Sequence, residues 1–180
     1  MRKCKSCGND FEPLNQYNST IKSNKCIDCL IKQGNKLKEK KDKAETKKLK
    51  ESLLTHSDYL KMAQTVVNSF IRLRDEKKGC ITCGTDLRGR KFDAGHFFST
   101  GAYPNIRFNL DNIHGQCVPC NQHKHGNHTE YFIRLPKRIG LDRFNKLLEI
   151  RHQQTKYSIE ELKELIKEFK LKIKNYDNNK

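Results

Sequence analysis

Apolar residues recur at helical spacing in two long stretches of the chain, and between them the pattern breaks into short, Gly-punctuated runs. In THSDYLKMAQTVVNSFIRLRDEKKG, the residues Tyr59, Met62, Ala63, Val66, Val67, Phe70 and Leu73 share one face. This predicts an amphipathic helix opening near Ser57 and ending at Gly79, with a core-facing stripe. Near the other end, Ile159, Leu162, Leu165, Ile166, Phe169 and Ile173 form a second stripe. Ser158 and Glu161 stand in capping-box register at its start. Residues 136–153 read as one further helix, and these last two helices could pair as a hairpin. The middle differs. CITCGTDLRGRKFDAGHFFS is too short and too rich in Gly for a long helix, and suits a knuckle followed by a β-hairpin. DNIHGQCVPCNQHKHG suits a second knuckle running into a short helix, with Gly126 as its C-terminal cap. The expected fold class is therefore α+β.

Upstream the periodicity fades. Residues 32–54 are Lys/Glu-rich with few apolar anchors, and read as a solvated helix or a flexible basic linker. Residues 1–31 hold two CxxC pairs. The predicted organisation is an N-terminal finger at 1–31, a basic segment at 32–54 and a main domain at 55–180.

All eight cysteines fall in CxxC pairs: Cys4/Cys7, Cys26/Cys29, Cys80/Cys83 and Cys117/Cys120. Four regular pairs point to two four-thiolate zinc sites rather than to four disulfides. The first, with 18 residues between Cys7 and Cys26, fits a small zinc ribbon or treble-clef-like finger. It has too few apolar residues to fold without metal. No signal peptide precedes MRKCKSC, and no apolar run approaches the roughly 20 residues of a membrane span. A cytoplasmic location with reduced thiols is the expectation.

Charge adds a partner. Lys and Arg number 37 against 21 Asp and Glu, for a net charge of +16. Such a balance points to a polyanion. The alternative is a Lys-rich surface that serves solubility alone.

The stretch CVPCNQHKHGN crowds Asn and His side chains onto the edge of the last CxxC pair. Cys80, Cys83, Cys117 and Cys120 bracket 33 residues, Gly84 to Gln116. Zinc closing that loop would pin a hairpin carrying His96 beside the helix after Cys120, where Asn121 and His125 stand at i and i+4. Four cysteines saturate zinc, so any open metal position must belong to a second ion.

The strings QTVVNSFIRLRD, CITCGT, DAGHF, IRFNLDNIHGQC, VPCNQHKHGN and RIG, from about Gln64 to Gly140, carry a resemblance. The chain resembles HNH endonucleases, and within them closely resembles the phage NinG (Rap) recombination endonuclease family. The resemblance implies a zinc-scaffolded ββα-metal core with flanking helices. It implies an endonuclease acting on branched DNA such as Holliday junctions and D-loops, with two structural Zn²⁺ and one catalytic Mg²⁺ or Mn²⁺. His96 would be the general base, and Asn112 would tether the hairpin loop and orient it. Asn121, Asp93 and His125 would hold the catalytic ion. Gly95 stands where many HNH enzymes carry an aspartate ligand. Asp93, three residues before His96, would face away from it on a regular strand unless a bulge at Ala94–Gly95 realigned the two.

Arg88, Arg90, Lys91, Arg107 and Lys124 are the candidate phosphate contacts. His114 and His123 flank the second zinc site and could contact phosphate or stabilise the fold; His56, His128 and His152 read as surface residues. Residues 1–54 are expected to act as a DNA-holding arm, and the C-terminal helix pair offers a possible homodimer interface. Two other readings remain open: a non-catalytic zinc-scaffolded DNA- or RNA-binding protein, and a sequence-specific restriction or homing nuclease. No long recognition module is visible, which favours recognition of structure over base sequence.

Overall fold

The computed structural model describes residues 1–12, 24–153 and 156–178, with side chains to Tyr176. The chain divides into two compact units, Met1–Leu54 and Thr55–Lys180.

In the first unit, β1 (Arg2–Lys3) pairs antiparallel with β2 (Asp10–Phe11). Between them the chain turns through CKSCG: the Gly8 N–H donates to Cys4 O at 2.9 Å, and Gly8 has φ +77°. A Cβ is disfavoured at that φ, which accounts for Gly directly after the cysteine pair. Most of the loop expected between the two pairs lies outside the described residues. Helix α1 (Ile27–Ser52) begins with Cys26 as its N-cap and buries no residue. Of the two sequence readings of 32–54, the solvated helix is the one found. It crosses the expected 31/32 boundary unbroken, because the helix starts inside the second CxxC pair.

In the second unit, α2 spans His56–Asp75. Thr55 caps it two residues earlier than expected: Asp58 N–H donates to Thr55 Oγ1 at 3.3 Å, and Thr55 N–H donates to Asp58 Oδ2 at 2.9 Å. Tyr59, Ala63, Val67, Ile71 and Asp75 form its buried i, i+4 ridge, whereas Met62 is 39% exposed. The helix ends at Asp75 rather than Gly79, and the carboxylate at its end has a tertiary role described below.

Helix α3 (His128–Ile139) and helix α4 (Leu141–Ile150) replace the single helix expected over 136–153, with Gly140 between them. Their apolar faces meet Ile81, Phe97 and Ile106, so that Tyr131, Leu135, Phe144 and Leu147 are buried in one cluster. Helix α5 (Ile159–Asn178) opens on the predicted capping box: Glu161 N–H donates to Ser158 Oγ at 3.1 Å and Ser158 N–H to Glu161 Oε2 at 2.7 Å. Its stripe packs on α2 rather than pairing with α4. Phe169 meets Phe70 edge-to-face at 5.3 Å, and Leu162, Ile166 and Phe169 are buried. Each such side chain contributes roughly 1.5–3 kcal/mol. This stripe of α5 is thus covered by α2 within the chain.

The sheet of this unit is a hairpin, β3 (Phe92–His96) antiparallel to β4 (Ile113–Cys117). The architecture is mixed α+β, with two small sheets and several helices. No described helix is long and apolar enough to cross a membrane.

Candidate metal centres and nucleic-acid site

Each cysteine quartet closes on itself. The Sγ atoms of Cys4, Cys7, Cys26 and Cys29 lie within 4.8 Å of one another, as do those of Cys80, Cys83, Cys117 and Cys120. The Cys7–Cys26 and Cys83–Cys117 sulfur pairs are both 3.7 Å apart. Tetrahedral zinc with bonds of about 2.3 Å requires sulfur separations of roughly 3.8 Å. The donor chemistry fits as well. Cys26 N–H points at Cys4 Sγ and Cys117 N–H at Cys80 Sγ, both at 3.3 Å, which stabilises thiolate. Both quartets can hold a structural metal ion such as zinc. They share one local design. Gly84 repeats Gly8, with φ +77° and an N–H donating to Cys80 O at 2.9 Å.

The hairpin between the halves of the second quartet is clamped to α2 by buried polar groups. Asp75 Oδ2 accepts from Gly115 N–H at 2.8 Å, and Arg74 binds both Asp75 carboxylate oxygens at 2.7 Å. The Arg74 guanidinium also reaches Ile113 O at 2.7 Å and Leu110 O at 3.0 Å. Burial raises the Asp75 pKa, but Arg74 and Gly115 outweigh it and hold the carboxyl below its usual range. On β4, His114 is 3% exposed, with Nδ1 3.3 Å from Tyr131 Oη. Burial foremost, then the Arg74 charge, pushes it down to about 3. It is a neutral core residue.

His96 ends β3. Its Nε2 is 3.1 Å from Arg107 O. A carbonyl only accepts, so Nε2 carries the proton and Nδ1 presents the lone pair. Burial lowers the His96 pKa, against the Arg107 carbonyl, which raises it. The loop that supplies this carbonyl is held by Asn112, which is fully buried. Asn112 Oδ1 accepts from Phe98 N–H at 2.7 Å, and its Nδ2 donates to Phe98 O at 3.0 Å and Ile106 O at 3.2 Å.

Asp93 and Asn121 meet across the other side of the strand. Asp93 Oδ2 accepts from Asn121 Nδ2 at 2.9 Å and from Gln122 Nε2 at 2.8 Å. The β3–β4 register runs unbroken from Phe92↔Cys117 to His96↔Ile113. The bulge considered at Ala94–Gly95 is therefore absent, and alternation puts His96 on the face opposite Asp93. Gly95 has a steric reason: a Cβ there would sit 2.2 Å from Gln116 Oε1 and 3.1 Å from Asn121 Oδ1. Gln116 is fully buried, and its Oε1 has no hydrogen-bond partner among the described residues. Asp93, Asn121 and Gln116 make a set of hard oxygen donors of the kind Mg²⁺ or Mn²⁺ takes. Sequence reasoning missed Gln116 and Gln122; the one signal for Gln116 was a glycine facing it.

His125 does not join them as expected. The segment Pro119–His123 is a π-helical turn, in which Lys124 N–H reaches back five residues to Pro119 O. His125 follows in the left-handed region at φ +47°, so the i, i+4 face it was to share with Asn121 does not form. Gly126 closes the turn, its N–H donating to Asn121 O at 3.0 Å. Among the described residues, the two cysteine quartets alone bring three or more His, Cys, Asp or Glu donors together.

Arg88, Arg90, Lys91 and Lys124 are exposed. Arg88 is engaged by Asp86 at 2.8 Å. Arg107 is half-buried, and its Nε has no partner among the described residues. His123 is exposed, as are His56, His128 and His152. His56 Nε2 is 2.7 Å from Tyr157 O, and the rings of His128 and His152 lie against Phe97 and Tyr103.

A family model described as "Bacteriophage Lambda NinG protein" matches residues 1–179. The chain is 43% identical over 139 residues to "Protein ninG" of Escherichia phage lambda, covering 77% of this chain and 66% of that protein. It is 42% identical over 134 residues to "Protein ninG" of Salmonella phage P22, covering 74% of this chain and 64% of the relative. With "Protein ninG" of Enterobacteria phage H19B, a 193-residue alignment at 36% identity covers 99% and 95%. The chain thus spans about two thirds of the lambda and P22 proteins, 66% and 64% of their lengths. No solved structure matches it.

Proposed function

The chain belongs to the NinG family, and on that footing we propose that it is a metal-dependent DNA endonuclease of the HNH type, acting on branched recombination intermediates. The observation that carries the reading is the preparation of His96. Its Nε2–H is committed to Arg107 O, which leaves Nδ1 as the basic nitrogen, and burial favours the neutral form. Such an imidazole can take a proton from a water that attacks phosphorus. Asn112 acts as a positioning residue through the Phe98 and Ile106 backbone. A divalent cation, when bound, supplies charge neutralisation at the phosphate and the departing oxygen; Asp93, Asn121 and Gln116 would hold it. The +16 charge supplies affinity for the backbone of the DNA. The zinc quartet serves as scaffold, pinning the hairpin ends on either side of this chemistry.

His96 is assigned to the water and Asn121 to the ion, so the two roles separate by mutation. His96→Ala should lower Mg²⁺-dependent cleavage of a four-way junction by about 100- to 10,000-fold while leaving junction affinity and metal affinity intact. Asn121→Ala should act through the ion and recover in part with excess Mn²⁺. The non-catalytic reading has two observations in its favour: the Asp93 carboxylate is already engaged by two amides, and strand alternation puts it on the face opposite His96. A wild-type chain that binds junctions but cuts none in Mg²⁺ or Mn²⁺ would decide for it.

A further inference from the structure

Helix α1 distributes its lysines unevenly around its axis. Between residues 32 and 50 there are nine lysines and three acids. At 3.6 residues per turn, Lys32, Lys36, Lys40, Lys43, Lys47 and Lys50 project within an arc of about 80°. No Asp or Glu of the helix falls in that arc; Glu39 and Glu51 sit just outside its two edges. All six lysines are exposed, and among the described residues only Lys47 has an ion-pair neighbour, Glu51 at 3.9 Å. Folding does not require this sorting, because α1 buries no residue. Solubility does not require it either, since a solvated surface intersperses its signs.

The stripe runs from Lys32 to Lys50, a rise of about 27 Å, with steps of about 4.5–6 Å between successive lysines. Duplex DNA carries one negative charge per about 1.7 Å of axis, and its strands wind, so a straight helix of this length meets only the phosphates that border the groove it lies against. A one-sided row of six flexible cations matches such a surface in sign, and its single face matches a contact made from one side of the duplex. We propose that α1 lays its lysine stripe against the phosphates of duplex DNA, and that this face rather than the general charge of the segment gives residues 1–54 their affinity. The proposal rests on the reading that DNA is the partner, and does not depend on cleavage.

The test compares two full-length variants of equal charge. Lys36, Lys43 and Lys50→Gln strips the stripe; Lys38, Lys41 and Lys48→Gln strips the opposite face. Binding to a labelled linear duplex is measured from 50 to 200 mM salt without added divalent ion, so that cleavage plays no part. Circular dichroism checks that both variants keep α1. The stripe variant should flatten the log–log salt slope by about 2.7, at 0.9 for each phosphate no longer neutralised, and the opposite-face variant by less than about 1. Equal flattening in both would make the charge a bulk effect and overturn the stripe. An unchanged slope in both, or no duplex binding by the wild type, would remove α1 from the interface. Flattening confined to single-stranded DNA would overturn the duplex assignment.

Discussion

Replacing Gly95 by Ala tests the geometry that joins the hairpin to the turn carrying Asn121. The added Cβ would lie 2.2 Å from Gln116 Oε1, 3.1 Å from Gln116 Cβ and 3.1 Å from Asn121 Oδ1. Gln116 cannot yield freely. It is fully buried, and its Nε2 donates to Gly126 O at 2.7 Å and Thr82 Oγ1 at 3.3 Å. Overpacking of this kind costs about 1–3 kcal/mol, and each hydrogen bond broken adds about 1 kcal/mol. The expected loss is therefore about 2–5 kcal/mol. Gln116→Ala loses the same hydrogen bonds and leaves a cavity, so it too is destabilised. The double variant, however, loses the 2.2 Å clash with Gln116 Oε1 and keeps only the two milder 3.1 Å approaches, to the Cβ at position 116 and to Asn121 Oδ1. Its stability should fall within about 1 kcal/mol of Gln116→Ala alone, a coupling that distant sites do not show. Urea unfolding with zinc held constant and m-values compared gives all four corners of the cycle. A Gly95→Ala cost below about 0.5 kcal/mol, or additive costs in the double variant, would refute the packing argument.

What the sequence discloses follows from the range of the interactions involved. The zinc quartets are legible because their ligands come in local CxxC pairs, two of them set in a CxxCG knuckle, CKSCG and CITCG. The cap of α5 is legible for the same reason, Ser158 and Glu161 being three residues apart; the equally local Thr55–Asp58 box was not foreseen, the start being expected near Ser57. Periodicity gives the stripe of α5 but not the surface that covers it, so α2 was not foreseen as its partner. The end of α2 shifts from Gly79 to Asp75 through a long-range contact, the carboxylate reaching Gly115 forty residues away. Its position on the ridge 59–63–67–71–75 was the available sign, and a hydrophobic pattern discards charged residues. The π-helical turn at Pro119–His123 defeats an i, i+4 argument, because one additional residue per turn rotates every later side chain. The opposition of His96 and Asp93 was foreseen in its regular-strand form. The structure keeps that form, and the steric role of Gly95 emerges only once Gln116 is placed opposite Asp93.

Metal analysis of purified protein should find about two zinc ions per chain, one per quartet; one or none would break the scaffold described here, and Cys80→Ser should unfold the hairpin region by removing metal-derived folding energy. The pH dependence of the second unit provides a separate test. His114 is buried among Tyr131, Asp75 and the cations Arg74, Lys78 and Arg138, and burial foremost pushes its pKa to about 3. The unfolded chain protonates this imidazole near its ordinary value of 6.5. Between those values the unfolded state binds more protons, so stability is full above about pH 6.5 and falls as pH drops. The slope from one histidine approaches 1.36 kcal/mol per pH unit, or about 2 kcal/mol by pH 5. His96, lowered in the same direction by burial, adds to the fall. Asp75 works in a lower window. Its folded pKa lies below the ordinary 3.8, so its contribution persists above about pH 4 and is lost only as pH falls further. The decisive readout is the His114 imidazole resonance, because thiolate protonation and zinc release do not mimic it. That resonance should stay in its neutral form down to about pH 4 in folded protein. A His114 titration near 6.5 without unfolding would show the ring to be solvated, and the buried contact with Tyr131 would then be wrong.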